Sequence, residues 1–289
     1  MEQSNSNRET TRVDDQLLAE LAPTGVLRAA INMSNFLLVT GQTNTGAPDG
    51  VSPDMAQAVA AKLGVDCKLI PYPRPGDLAD ALAKDAWDIG NIAAEPERAK
   101  TIAFSPPYCE IQATYLVPPG SPIRILNEVD VPGNRIAVAS RSAYDLWLTD
   151  NIQHAELVRA PSLDESYTMF MEQQLEALAG LRPKLVEEEK KLPGFTLLEG
   201  CFTVVQQSIG CKPKNLKAAA FLKEFVQTSL ANGFVTSLIQ KHGVEGRLSA
   251  ASSGNIYVTG YTEGGLDGNT NAGGWDLFVV KYNSSGVKQ

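Results

Sequence analysis

The 289-residue sequence predicts an α/β protein of two lobes with a cleft between them, followed by a C-terminal β-hairpin segment. Three observations carry that class. From Val26 the chain alternates strand, helix, strand, helix, strand, an order that implies a parallel sheet with crossover helices. A second strand–helix series opens at NRIAVAS, after the polar, proline-bearing connection SPIRILNEVDVPGN. From Ser249 the composition turns to Gly, Asn, Thr and aromatics, with two alternating runs, NIYVTGY and DLFVVKY.

VLRAAIN reads as a short buried strand. PDMAQAVAAKLG follows as a helix, with Met55, Val59 and Leu63 on one stripe and Gly64 as its stop. VDCKLIPY is the next strand, GDLADALAKDA the next helix and WDIGNIA a third strand. TYLVPP and the run before it supply two more strands. The second series reads as a strand in NRIAVAS, helix SAYDLWLTDNI, strand AELVRA, helix SLDESYTMFMEQQ and a short apolar piece, LEALAGL. VEEEKKLPG is a solvated helix end on this reading. TVVQQSI returns to a strand, and helices NLKAAAFLKEFVQTSLANG and GFVTSLIQKHG close the unit. The expected division is an extension over 1–25, one lobe from 26–120 with 203–247, a second over 121–202, and a β segment over 249–289.

Hydrophobic residues make up 43% and charged residues 20%, so the chain has the material for a folded core. The net charge of -8 speaks against a nucleic-acid partner, which needs a basic face. No apolar run approaches the ~18 residues of a membrane helix. The N-terminus lacks a basic region followed by an apolar one, so the protein is expected to be cytoplasmic, or periplasmic if a signal was removed. Cys67, Cys109, Cys201 and Cys211 show no metal-type spacing. Cys201 and Cys211 flank an apparent strand that would hold them roughly 30 Å apart. Free thiols are therefore expected, which favours a reducing compartment. GxSxG, P-loop and HExxH motifs are missing from the sequence, so no catalytic residue, metal ligand or cofactor is assigned. His154 in a turn and His242 at a helix end read as solvated structural residues.

Residues 26–245 resemble the periplasmic-binding-protein superfamily of type II, in particular the extracellular solute-binding family 3 that serves polar amino-acid importers. LRAAIN, DGVSPDMAQAVAAKLGV, WDIGNIAAEPERAKTIAFSPPY, NRIAVASRSAYD and ANGFVTSLIQKHGV carry the resemblance, in the family's order. Within the family the chain is most similar to a proteobacterial branch with AEPxRA, LVRAP, LAGLRP and GxF…QQxxG. The tail from about Ser253 separately resembles one β-propeller repeat of the bacterial SBBP type. Blades need neighbours, so one copy suggests a fusion or a truncated array.

The resemblance implies capture of a small molecule by hinge closure of the lobes, with an ABC-transporter permease as partner. It places Arg98 at the family's carboxylate arginine, where a guanidinium offers two parallel donors. From the residues alone, Arg98 also reads as a surface ion pair with Glu95 or Glu97. Asn91, Ile92 and Ala93 supply the neighbouring strand end, with Ala93 where a hydroxyl is usual and Asn91 where Gly or Ser is usual. Ser140, Arg141, Ser142 and Ala143 match the facing turn. Arg141 replaces a glycine, and Ser142 either caps the next helix or also presents its hydroxyl to an anion. Arg74 falls near the family's stacking aromatic, a place that Tyr72 could fill instead. Glu110 either faces the cleft or sits at a hinge or in solvent.

The two acids that hold the ammonium in amino-acid binders are missing. Asn32 stands at the first, with Asn35 at the nearby aromatic, and Leu181 stands at the second. An unpaired ammonium is costly to bury. The expected ligand is therefore polar and carboxylate-bearing but not an ordinary α-amino acid. A dehydratase on the same fold is the enzymatic alternative, with Glu110 or Glu172 as its acid. A sensory or scaffold protein is the other. The alternating tail strands also offer an edge for dimerisation.

Overall fold

The computed structural model describes residues 13–252 and the two strands at 255–262 and 276–283. The chain divides after Ala251 into two compact units, just beyond the change of composition at Ser249. The first begins with a helix where the sequence suggested only an extension. In α1 (Asp15–Leu21), Asp14 caps the N-terminus by accepting from Leu17 N, and Leu17 and Leu21 are fully buried. Further along the chain, Lys217 pairs with Asp14, and Asn215 Nδ2 donates to Glu20 O at 2.8 Å. Such a short helix lacks stability of its own and persists because it packs.

β1 (Val26–Asn32) follows, then a small antiparallel pair of β2 (Gly41–Gln42) with β3 (Pro48–Asp49). In α2 (Val51–Leu63), Met55, Val59 and Leu63 are buried on one stripe, and Gly64 ends the helix at φ 73. That left-handed cap suits glycine, which has no Cβ to clash. β4 (Asp66–Tyr72), α3 (Pro75–Ala81), β5 (Ile89–Ala93) and the one-turn α4 (Pro96–Ala99) come next. The short β6 (Ala103–Phe104) precedes the nine-residue β7 (Cys109–Val117).

The second series runs β8 (Arg135–Ala139), α5 (Ala143–Asn151), β9 (Glu156–Ala160), α6 (Leu163–Glu172), β10 (Ala177–Leu181) and α7 (Arg182–Lys191). LEALAGL thus holds a fully buried strand. The acidic run after it is a complete helix and not just a solvated end, with Leu185 and Glu188 buried. β11 (Thr196–Leu197), β12 (Thr203–Cys211), α8 (Leu216–Ala231), α9 (Phe234–Lys241) and β13 (Ser249–Ala250) complete the unit.

The main sheet has the order β4-β1-β5-β12-β7-β10-β8-β9. β1 pairs in parallel with β4 and β5 at one end, and β8 with β9 and β10 at the other. β12 and β7 pair antiparallel with each other and join the two ends. This is the mixed, two-lobed α/β architecture expected. Arg28 and Asp88 clamp the entry to β1 and β5. Asp88, 2% exposed, accepts from Arg28 N (2.9 Å), Nε (3.0 Å) and Nη2 (2.7 Å). Among the described residues no helix is long and apolar enough to cross a membrane. All four cysteines are free; Cys109 and Cys211 are buried, while Cys67 and Cys201 are half-buried.

In the second unit, β14 (Asn255–Thr262) and β15 (Asp276–Asn283) pair antiparallel from Asn255↔Asn283 to Thr262↔Asp276. The hairpin pattern in NIYVTGY and DLFVVKY is therefore realised. Among the described residues this unit has two strands, where a propeller blade has roughly four, so the repeat is not shown; residues 263–275 lie outside those described.

Candidate functional site

The parallel strands at both ends of the sheet stop at one cavity of about 460 Å³. Asn32 ends β1, Ala93 ends β5, Ala139 ends β8 and Leu181 ends β10, and all four line it. Carboxyl ends of parallel strands are where open α/β sheets leave a crevice, because the following helices splay apart there. The first residues of α5 and α6 line the same wall, as do the N-cap of α7, Leu181, and Lys184 in its first turn. Each helix start carries unpaired N–H groups and about half a positive charge, so the wall favours an anion. Val205 and Gln207 of β12 also border the cavity.

Arg98 is 5% exposed and lines the cavity. Pro96 at the start of α4 presets the turn that turns Arg98 inward. Its Nη1 donates to Ala93 O (2.9 Å) and its Nη2 to Arg141 O (3.0 Å). Among the described residues no acid forms an ion pair with it, and Glu97 instead pairs with Lys100. The surface ion-pair reading of Arg98 is thereby corrected. Burial pulls its pKa down to about 10, partly opposed by Glu95, so it is still charged at neutral pH.

Glu95 is itself pushed up to about 7 by burial, against the pull of Arg98. Its folded pKa lies above its ordinary one, so the unfolded chain ionises first as pH rises. Native stability is then lost between about pH 4.5 and 7 and stays lower above that window. Glu95→Gln should raise stability by about 1–2 kcal/mol at pH 8 and by little at pH 4.5, since the carboxyl keeps partial contact with water. Thermal melts across that range check the sign.

Eight of the twelve expected ligand-site residues line the cavity: Asn32, Asn35, Arg74, Ala93, Arg98, Ser140, Ser142 and Ala143. Ser142 caps α5 by accepting from Asp145 N at 3.1 Å and also lines the cavity. Arg74, not Tyr72, reaches the cavity wall, although its guanidinium is already paired with Asp77 at 2.8 Å.

Asn91, Ile92, Arg141 and Glu110 are not brought to the cavity wall. Asn91 lies beneath it, buried, where its Oδ1 accepts from Tyr108 at 3.4 Å. Ile92 packs on the opposite face of β5 with Leu78 and Trp87, because strand residues alternate faces. Glu110 sits in β7 opposite Gln206 and Ser249. Glu172, the other acid considered for catalysis, is exposed near the end of α6 and off the cavity.

Arg141 turns away to make a two-pronged ion pair with Asp80 of the α3 region (2.8 and 2.7 Å). Its guanidinium lies so close to Gly76 that a Cβ there would stand 2.8 Å from it. Arg141 also holds φ 58, a left-handed conformation that costs a non-glycine residue about 1 kcal/mol. Together with the Arg98 bond to its carbonyl, it ties the two ends of the sheet across the cavity. Arg141→Gly should leave the melting temperature within a few degrees, because relief of strain offsets the lost exposed pair. It should also speed ligand release several-fold in stopped-flow measurements.

Several lining residues escaped the sequence reading. Phe36, one position beyond the expected aromatic, faces the cavity. Glu187 comes from the acidic run taken as solvated and Lys184 from just before it, while Tyr144 and Gln207 lie in stretches that carried the family resemblance but were given no site role. Glu187 pairs with Arg247 (3.3 Å) and Lys184 with Glu188 (3.0 Å). The i,i+3 spacing of Lys184 and Glu187 is the signal that could have placed both on one face of α7. Away from the cavity, Asp49, Asp54 and His242 bring potential metal-ligating atoms within 4.8 Å of one another. Asp54 already bonds His242 Nε2 and Lys241 Nζ, both at 2.7 Å, and the His242 side chain is 5% exposed, so its ring is not solvated as expected.

The model of the bacterial extracellular solute-binding proteins, family 3, matches residues 30–245. The L-cystine-binding protein TcyJ of Escherichia coli strain K12 is 28% identical over 145 residues, covering 50% of this chain and 54% of that protein. The chain thus spans about half the length of the curated relatives it matches. The P235GK mutant of ArgBP from T. maritima superimposes with a TM-score of 0.64 at 19% identity, covering 79% of this chain and 100% of that one. The ancestral amino acid-binding protein AncCDT-1, a precursor of cyclohexadienyl dehydratase, gives 0.63 at 20% identity, covering 78% and 98%. At such identities the structural likenesses speak for the fold alone.

Proposed function

The chain belongs to the bacterial extracellular solute-binding proteins, family 3, and from that premise we propose that it captures a small carboxylate-bearing solute between its lobes. The observation that carries this reading is Arg98: charged, buried, facing the cavity, and bonded to two backbone carbonyls, with no acid in ion-pair contact among the described residues and Glu95 acting on it only from farther off. A buried guanidinium in that state is costly unless an anion joins it. The starts of α5, α6 and α7 add to the same preference.

The ligand is not an ordinary α-amino acid, although the TcyJ and ArgBP likenesses come from amino-acid binders. Asn32 and Leu181 stand where the ammonium would need acids. In this reading 26–120 with 203–247 forms one lobe and 121–202 the other, and a permease of the ABC type receives the loaded protein outside the cytoplasm. A dimer through the 255–283 hairpin belongs to the same proposal, and light scattering of the full chain tests it. In this reading the protein is a binder, and Glu110 and Glu172, the acids considered for a dehydratase, are not among the residues that line the cavity.

A thermal-shift screen of organic acids, amino acids and metabolite pools tests the function. An organic acid that raises the melting temperature and is recovered intact supports it. A stabilising compound that is consumed means an enzyme, and no stabilising compound means a protein that works without a ligand.

A further inference from the structure

Asn32 and Asn35 close one corner of the cavity, beside Arg74. The backbone fixes which way both amides point. Asn32 Oδ1 accepts from Ser34 N (3.2 Å) and Ser34 Oγ (2.8 Å), and Asn35 Oδ1 accepts from Leu37 N (3.2 Å). A backbone N–H can only donate, so the atom it meets must be the amide oxygen. Among the described residues neither Nδ2 donates to a protein acceptor. Asn35 is only 5% exposed, so its free amide has the cavity before it and little bulk water.

This corner therefore offers donors. Arg74 adds a positive charge, already matched by Asp77. Two acids line the cavity, Asp164, exposed in the first turn of α6, and Glu187 of α7, paired with Arg247; among the described residues neither bonds Asn32 or Asn35. An ammonium placed against Asn32 and Asn35 would meet N–H groups head on and lose its hydration without replacement. A carboxylate placed there would accept from both amides.

Resting on the reading that Arg98 receives one carboxylate, we propose that the ligand is a dicarboxylate whose second carboxylate is held by Asn32 Nδ2 and Asn35 Nδ2. The protein balances two negative charges with Arg98 and the starts of α5, α6 and α7, each worth about half a charge.

Calorimetry on the full chain tests this with α,ω-dicarboxylates from succinate to suberate. Glutarate is matched with butyrate, which lacks the second carboxylate, and with 4-aminobutyrate, which carries an ammonium in its place. At least one dicarboxylate should bind about tenfold or more tighter than its matched monocarboxylate, and its ammonium analogue should bind weakest. Asn32→Asp keeps the oxygen that Ser34 N needs, so the fold should persist. That variant should weaken the dicarboxylate about tenfold and favour the ammonium analogue.

Equal binding of mono- and dicarboxylates, both lost in Arg98→Met, would overturn the second contact and leave the function standing. Tighter binding of the ammonium analogue by the native protein would overturn it as well. If no carboxylate binds, the dicarboxylate and the Arg98 reading fall together.

Discussion

Replacing Arg98 by methionine is expected to weaken ligand binding by about a hundredfold or more while the protein still folds. Methionine fills much of the same space but removes the charge, so the effect isolates the guanidinium from its volume. Arg98 is buried, and among the described residues its guanidinium donates to two carbonyls, Ala93 O and Arg141 O. Burial there already lowers its pKa, a sign that its charge is disfavoured without a counter-ion. Stability of the free protein should thus change by no more than about 1–2 kcal/mol, the lost carbonyl bonds being offset by relief of desolvation. Binding should respond in the opposite proportion, since the ligand loses its charge-assisted contact entirely. Calorimetry alongside thermal melts separates the two. Unchanged affinity in a folded Arg98→Met variant would remove Arg98 from the site.

The largest loss of stability should come from Asp88→Ala, at about 3 kcal/mol. Asp88 is nearly inaccessible and receives one backbone and two side-chain donors from Arg28. Its bonding raises the Arg28 pKa further above the usual arginine range. Removing it leaves the Arg28 backbone N–H without its acceptor and the guanidinium with Asp85 as its remaining partner. The cost is below that of a fully buried pair because Arg28 is one-quarter exposed. For a chain of this size the melting temperature should drop by roughly 6–12 °C. A drop of less than about 2 °C would show that solvent replaces Asp88 at little cost.

Asp88 was visible in the sequence only as part of WDIGNIA, a strand with an acid near its start. Its partner lies 60 residues earlier in β1, and parallel pairing of β1 with β5 is what unites them. The same limit applies across the cavity. Arg98 carries a recognisable local pattern, because Pro96 and the end of β5 set its turn within a few residues. Asn91 and Ile92 share that pattern, yet the pleat sends Ile92 to the other face and the Tyr108 hydroxyl meets Asn91 below the wall. Arg141 read as a nearby positive charge. Asp80, remote in sequence, draws its guanidinium away from the ligand space.

What the sequence determined by itself are the elements and their order: apolar periodicity, helix caps and turn residues act over a few positions. That Asn32 and Leu181 are not acids was equally legible, because it is a matter of residue type. Only the tertiary structure decided which side chains share the cavity. Glu187 and Lys184 join it because α7 starts where β10 ends, and Asn32 and Asn35 present donors because their oxygens are taken by nearby backbone N–H groups. Side-chain direction and hydrogen-bond occupancy depend on neighbours distant in sequence, and local pattern does not encode them.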